Sequence, residues 1–148
     1  MIHIHEKTLQ DLEFYSVLQQ VAELCITDLG RLNTLEIKPF SSRDNVIRSL
    51  NFTNEYVSSF YNDNRIPNHG FEPITKEIKL LNIENSVLDT KSFKKIASIT
   101  LTISEIIIFL KKFEEYYPSL FISASNLEII TPIVTEIDTI IDLSLIHI

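Results

Sequence analysis

Between Asp89 and Tyr117 the apolar residues Phe93, Ile96, Ile99, Ile103, Ile106, Leu110 and Phe113 recur at spacings of three and four. The centre of this stretch, Ile99-Thr100-Leu101-Thr102-Ile103, alternates with period two and is β-branched, which taken alone favours a strand. Length decides between the two readings, because strands rarely run beyond about ten residues. The spacing therefore predicts one long helix, capped by Asp89 or Thr90, buried on most sides in its middle, and stopped after Tyr117 by Pro118. The other periodic segments are also helical, so the predicted fold class is all-α.

The first helix is expected from about Glu6–Thr8 to about Asp28. Leu9, Leu12, Val17, Val21 and Leu24 would face inward, with Gln10, Glu13, Gln20 and Glu23 opposite. Gly30 is placed to end or kink it, and Pro39 predicts a break near Lys38. A second helix should begin at Ser41 or Ser42, where Ser42-Arg43-Asp44-Asn45 offers an oxygen cap and an acidic first turn. Val46, Ile47, Leu50, Thr53, Val57 and Phe60 mark its apolar face. The stretch Tyr61–Pro73, with two prolines, a glycine and three asparagines, reads as the longest loop. Ile74–Ile83 reads as a short helix and Val87-Leu88 as a brief extended step. Pro118 should be followed by an irregular connection, and Thr131-Pro132 should open a last helix.

No catalytic, cofactor-binding or metal residue is expected from the sequence. A phosphate-cradling loop needs clustered glycines before Lys-Ser or Lys-Thr, and this chain has only Gly30 and Gly70. It is not expected to hydrolyse ATP by itself. His3 and His5 alternate, yet no further metal ligand is placed near them, so they read as incidental. His69 reads as a loop histidine bonded to nearby carbonyls rather than a general base. Cys25 is single, which excludes a disulfide within the chain, and it reads as a small buried hydrophobe. Glu114 and Glu115 would diverge on a solvated helix face with Lys111 and Lys112, and Glu136, Asp138 and Asp142 form no recognisable ligand pattern. Tyr116 and Tyr117 should pack at a helix end, since their flanks are acidic and base-stacking platforms are basic.

The net charge of −7 argues against a stand-alone nucleic-acid binder, because phosphate contact requires clustered cations. Lys91, Lys94 and Lys95 are the only tight basic group and read as a solvated helix face. No basic-then-apolar leader opens the sequence, and the most apolar window, Ile96–Leu110, is too short to span a bilayer. The expectation is a soluble, cytoplasmic protein with no membrane partner. At 148 residues it has the length of one domain.

Lys7, Thr8, Leu9, Leu12, Glu13, Phe14, Thr27, Gly30, Leu35 and Pro39 stand in the spacing that opens MutS-like proteins of the second type. That branch lacks the mismatch-reading domain. The chain resembles the family also at the Leu50–Phe60 helix, at the Ile66–Phe71 loop and in the long helix after Asp89, and the resemblance fades after Pro118. It implies that residues 1–142 are the N-terminal part of a bundle-like helical core linking clamp and ATPase domains, here incomplete. By the same resemblance the parent binds branched or mismatched DNA and uses ATP and Mg at a dimeric ATPase outside this segment. It is expected to restrain recombination, with an endonuclease domain in many members and ribosome rescue in some lineages. The segment itself would transmit force, with no enzyme activity and no cofactor of its own, and no family catalytic residue maps onto it.

The tail Leu143–Ile148, LSLIHI, matches a translation of the transposase-derived adapter used in short-read libraries, CTG TCT CTT ATA CAC ATC. The expectation is read-through after about Asp142, so His147 carries no meaning; a native apolar terminus is the alternative. A truncated core should leave Ile129, Ile133, Ile137 and Ile140 uncovered. The rival reading is a free-standing all-helical module that binds a partner protein.

Overall fold

The computed structural model describes residues 4–141, and among these the chain is helical with no strand. In chain order the helices are α1 (Glu6–Asp11), α2 (Phe14–Glu23), α3 (Asp28–Leu35) and α4 (Arg43–Ser58), then α5 (Thr75–Leu81), α6 (Thr90–Lys112), α7 (Pro118–Ala124) and α8 (Thr131–Ile140). The all-α expectation holds. The chain divides into two compact units, Met1–Asn54 and Glu55–Ile148, and the boundary falls inside α4. No helix of the described residues is long and apolar enough to cross a membrane.

In the first unit the single helix expected from Glu6 to Asp28 is instead two short ones, α1 and α2, and α3 begins where it was expected to end. Two local events set these bounds. Glu13 takes a left-handed backbone, φ 52°, and a right-handed helix cannot continue through such a residue. Thr27 is extended, with φ −109° and ψ 149°, and its hydroxyl accepts the Gly30 N–H at 3.0 Å. Thr27 is therefore the N-cap of α3, and Gly30 sits in the first turn of a helix rather than at the end of one. With the helix broken at Glu13, the apolar stripe also changes. Leu9, Leu18 and Ala22 are buried, whereas Leu12, Val17, Val21 and Leu24 are exposed. Packing runs from α1 to α2 and from α2 to α3.

Cys25 is half-buried rather than a core residue, between the largely exposed Leu24 and Ile26. Its Sγ lies 3.4 Å from the Thr34 hydroxyl, which itself donates to the Gly30 carbonyl at 2.9 Å. Helix α4 starts where the sequence places it, with the Asn45 N–H donating to Ser42 Oγ at 3.3 Å. The predicted apolar face does not hold. Val46, Ile47, Leu50, Thr53, Val57 and Phe60 are exposed, and the more covered side carries Ser49, Phe52, Glu55, Tyr56 and Ser59.

In the second unit α6 forms where its length predicted, and its β-branched centre is helical. Thr100 Oγ1 donates to the Ile96 carbonyl at 2.7 Å and Ser104 Oγ to the Thr100 carbonyl at 2.8 Å. Those hydroxyls bond to the preceding turn, which removes the strand alternative. Asp89 caps the helix by accepting the Ser92 N–H at 2.7 Å. At the other end α6 stops at Lys112, short of Tyr117.

Pro118 does not terminate α6 but opens α7, a helix where an irregular connection was expected. Proline's fixed φ suits a first turn, and the Glu55 carboxylate accepts the next two N–H groups, of Ser119 and Leu120, at 2.9 Å each. Tyr117 is fully buried beside Phe109, and its hydroxyl donates to the Asn64 carbonyl in the 61–73 loop. The core of this unit is Ile96, Ala97 and Ile137, with Ile74, Leu88, Phe93 and Ile141 packed against it.

Candidate functional site

Helices α6 and α8 pack together, and the side chains along their seam leave an apolar groove of about 180 Å³. Phe93 and Ile96 line it from α6; Ile133, Ile137 and Ile140 line it from α8. Leu81, the last residue of α5, forms a further wall, and Glu136 supplies a carboxylate. The spacing Ile133, Ile137, Ile140 is that of one helix face, so the sequence itself builds this lining. Ile137 is buried in the core, correcting the expectation that it would be uncovered. Ile129, Ile133 and Ile140 are exposed, Ile140 at 84%.

Beside the groove lies a charged cluster that the sequence reading missed. Lys95 Nζ of α6 is 2.9 Å from Glu72 Oε2 and 3.7 Å from Glu77 Oε1. Glu72 is exposed, whereas Glu77 is 7% exposed, and its second oxygen, Oε2, has no hydrogen-bond partner. The hydrogen bond with Glu72 holds the Lys95 ammonium above the usual lysine range, and it holds the Glu72 carboxyl below the usual carboxylate range. Lys95 is thus an ion-paired, partly covered residue rather than one of three solvated lysines. Nothing in the local spacing marks the cluster, because Glu72 lies in a loop and all three side chains come from separate segments.

The remaining sequence candidates are dispersed. His69 Nδ1 meets the Pro67 carbonyl at 3.0 Å, and since a carbonyl only accepts, Nδ1 is the donor. The other ring nitrogen faces the Tyr56 hydroxyl at 3.1 Å. His69 is therefore engaged on both sides and braces the loop. Glu114 and Glu115 lie on the turn after α6 rather than on the helix face expected of them. Lys111 and Lys112 occupy the last turn of α6, where cations suit the carbonyl end. Tyr117 packs at a helix end as expected, and Tyr116 is exposed. Among the described residues no group of three or more His, Cys, Asp or Glu could hold a metal ion. His3, Asp142 and the tail with His147 lie outside the described residues.

The arrangement therefore offers apolar surface and a charged brace. Endonuclease MutS2 from a strain of Staphylococcus epidermidis is 30% identical over 145 residues, which cover 94% of this chain and 18% of that protein. The chain is a MutS2-like segment. Endonuclease MutS2 from a second Staphylococcus epidermidis strain is 30% identical over 141 residues, covering 91% of this chain and again 18% of the relative. The Staphylococcus carnosus protein of the same name is 34% identical over 64 residues, or 43% of this chain. The MutS2-like segment thus spans less than a fifth of the length of the relatives it matches. No protein-family model matches it, and no solved structure gives a significant match.

Proposed function

We propose that this MutS2-like segment is the N-terminal helical core of a longer DNA-binding, ATP-dependent protein, and that its own role is structural. The observation supporting this reading is the pairing of the two coverages, 94% of this chain against 18% of the relative. A segment that matches a small part of a much longer endonuclease along nearly its whole length fits a component better than a complete machine. The exposed apolar side chains of α2, α3, α4 and α8 fit the same reading, since scattered exposure is ordinary but whole helix faces call for a covering surface.

In that parent, stiff helices such as α4 and α6 carry ATP-driven movement toward the DNA-holding part. The parent binds branched or mismatched DNA, hydrolyses ATP with Mg at a homodimeric ATPase outside this segment, and limits recombination in the cytoplasm. A nuclease domain, present in many such proteins, and a part in ribosome rescue, known in some lineages, would reside outside this segment, whose own proposed role is not enzymatic.

The deciding experiment is to read the genomic sequence past Asp142 in an ungapped assembly. A phosphate-binding glycine loop some hundreds of residues downstream, in frame, is the expected result. A stop codon at the end of the present sequence would instead support the free-standing interaction module. Codons for Leu143–Ile148 that differ from the adapter run would remove the read-through explanation alone. In solution, the isolated chain should bind hydrophobic dye and self-associate; a well-behaved monomer that melts in one cooperative step would count against the core reading.

A further inference from the structure

Helix α5 is short, Thr75–Leu81, and its N-cap position, Ile74, supplies no side-chain hydrogen bond. A helix of that length has negligible stability alone, so its persistence depends on what it touches. It makes little backbone contact with any other helix, whereas α6 packs on both α7 and α8. The attachment of α5 is therefore made by side chains. Ile74, Glu77 and Leu81 fall on one side of the helix by their spacing. Ile74 packs on the Ile96–Ala97–Ile137 core, Leu81 walls the groove, and Glu77 lies between them against Lys95.

The middle contact differs in kind from the other two. Glu77 is buried, its Oε2 has no hydrogen-bond partner, and the Lys95 ammonium stands 3.7 Å from its Oε1. A buried carboxylate that loses its countercharge must take up a proton or move to water, and either costs more than losing a surface pair. Lys95 is itself shared with Glu72 at 2.9 Å, so the same lysine ties the loop before α5 to α6.

We propose that α5 is a detachable strap held over the α6–α8 groove by the Lys95–Glu77 contact, and that loss of the lysine charge releases it by local unfolding. Release removes Leu81 from the groove wall and Ile74 from the core, so the apolar floor formed by Ile96 and Ile137 opens while α6 and α8 stay paired. The charged groups near this contact are Glu72 in the preceding loop, Lys91 on α6 and the capping Asp89, all on the same unit. Because the clasp is a buried charge pair, replacing both partners by apolar groups should keep the strap in place, whereas removing the lysine alone should not.

Hydrogen exchange measured peptide by peptide on the full chain tests this. Lys95→Met should raise exchange of the α5 amides by about tenfold or more while the α6, α7 and α8 amides stay within about threefold of wild type. Adding Glu77→Leu to Lys95→Met should return α5 to near the wild-type rate, and Glu72→Gln should give a smaller rise confined to α5. Unchanged α5 exchange in Lys95→Met would overturn the proposal. So would loss of protection across the whole unit at once, or failure of the double variant to restore α5.

Discussion

The two compact units use different means to hold their helices. In Met1–Asn54 the side-chain hydrogen bonds Tyr15 to Glu6, Gly30 to Thr27 and Thr34 to Gly30 are local. In Glu55–Ile148 the decisive bonds join segments far apart in sequence, with Glu55 receiving Ser119 and Leu120 and Tyr117 reaching Asn64. The second unit also has a buried aliphatic core. The block that carries the family resemblance, from Lys7 to Pro39, lies in the locally bonded unit, and several of its leucines, such as Leu12 and Leu35, are exposed. A sequence signature can therefore sit on surface that needs covering rather than on a closed core.

Substitutions should separate the two modes. The largest effect is expected from Tyr117→Ala, which empties a fully buried ring site; urea denaturation should register a loss of about 3–5 kcal/mol. A loss below about 1 kcal/mol would mean that the long-range ties of this unit are not what holds it. Glu55→Ala leaves the first N–H groups of α7 without their acceptor and should cost about 2 kcal/mol by the same measurement. Glu55→Gln should recover part of that, since an amide oxygen still accepts.

In the locally bonded unit the comparable helix-end bond is the α3 cap. Thr27→Ala should cost about 1 kcal/mol and Thr27→Ser much less. Helicity followed by circular dichroism against urea would show this, and an equal loss in both variants would refute the cap. If the units melt separately, only one of two transitions should move.

Acid should act on the start of α6. Accepting the Ser92 N–H holds the Asp89 carboxyl below the usual carboxylate range, and the Glu72 carboxyl is lowered by Lys95. A group whose folded value lies below its unfolded value contributes stability that is present above the unfolded value and lost as pH falls through the folded one. The melting midpoint should thus fall on acidification through the carboxylate range, with a shallower slope in Asp89→Asn that Glu72 keeps above zero. An identical slope in wild type and variant would exclude the Asp89 contribution. The smallest stability change is expected for Leu24→Ser and Ile26→Ser, within about 0.5 kcal/mol each, yet both should reduce dye binding.

What could be read from the sequence was local or long. The caps at Ser42 and Asp89 are bonds over three residues, and both formed. Helix α6 was legible because its pattern outlasts any strand, although its middle looked like one. The break at Glu13 was not legible, because neither glycine, proline nor asparagine marks it. Thr27-Asp28 did carry a start signal, a capping hydroxyl before an acidic residue, but the apolar spacing running through it pointed to continuity. The groove was half legible, since the exposed isoleucines of α8 stand at helical spacing. Its brace was not, because Lys95, Glu72 and Glu77 meet only after three segments fold together, and Glu55 meets α7 across more than sixty residues of chain.

Helix α4 gives a last consequence, for anyone wishing to cut this molecule into parts. The boundary between the units, Asn54 to Glu55, lies within its continuous helical backbone, not in a linker. A protease probing the native chain should pass over that point and nick the exposed loops on either side, near residues 37–42 or 61–65. A gene truncated at the boundary would end one product in a severed helix and begin the other without the turns that present Glu55 to α7. The piece most worth expressing alone therefore starts at Ser42, not at Glu55.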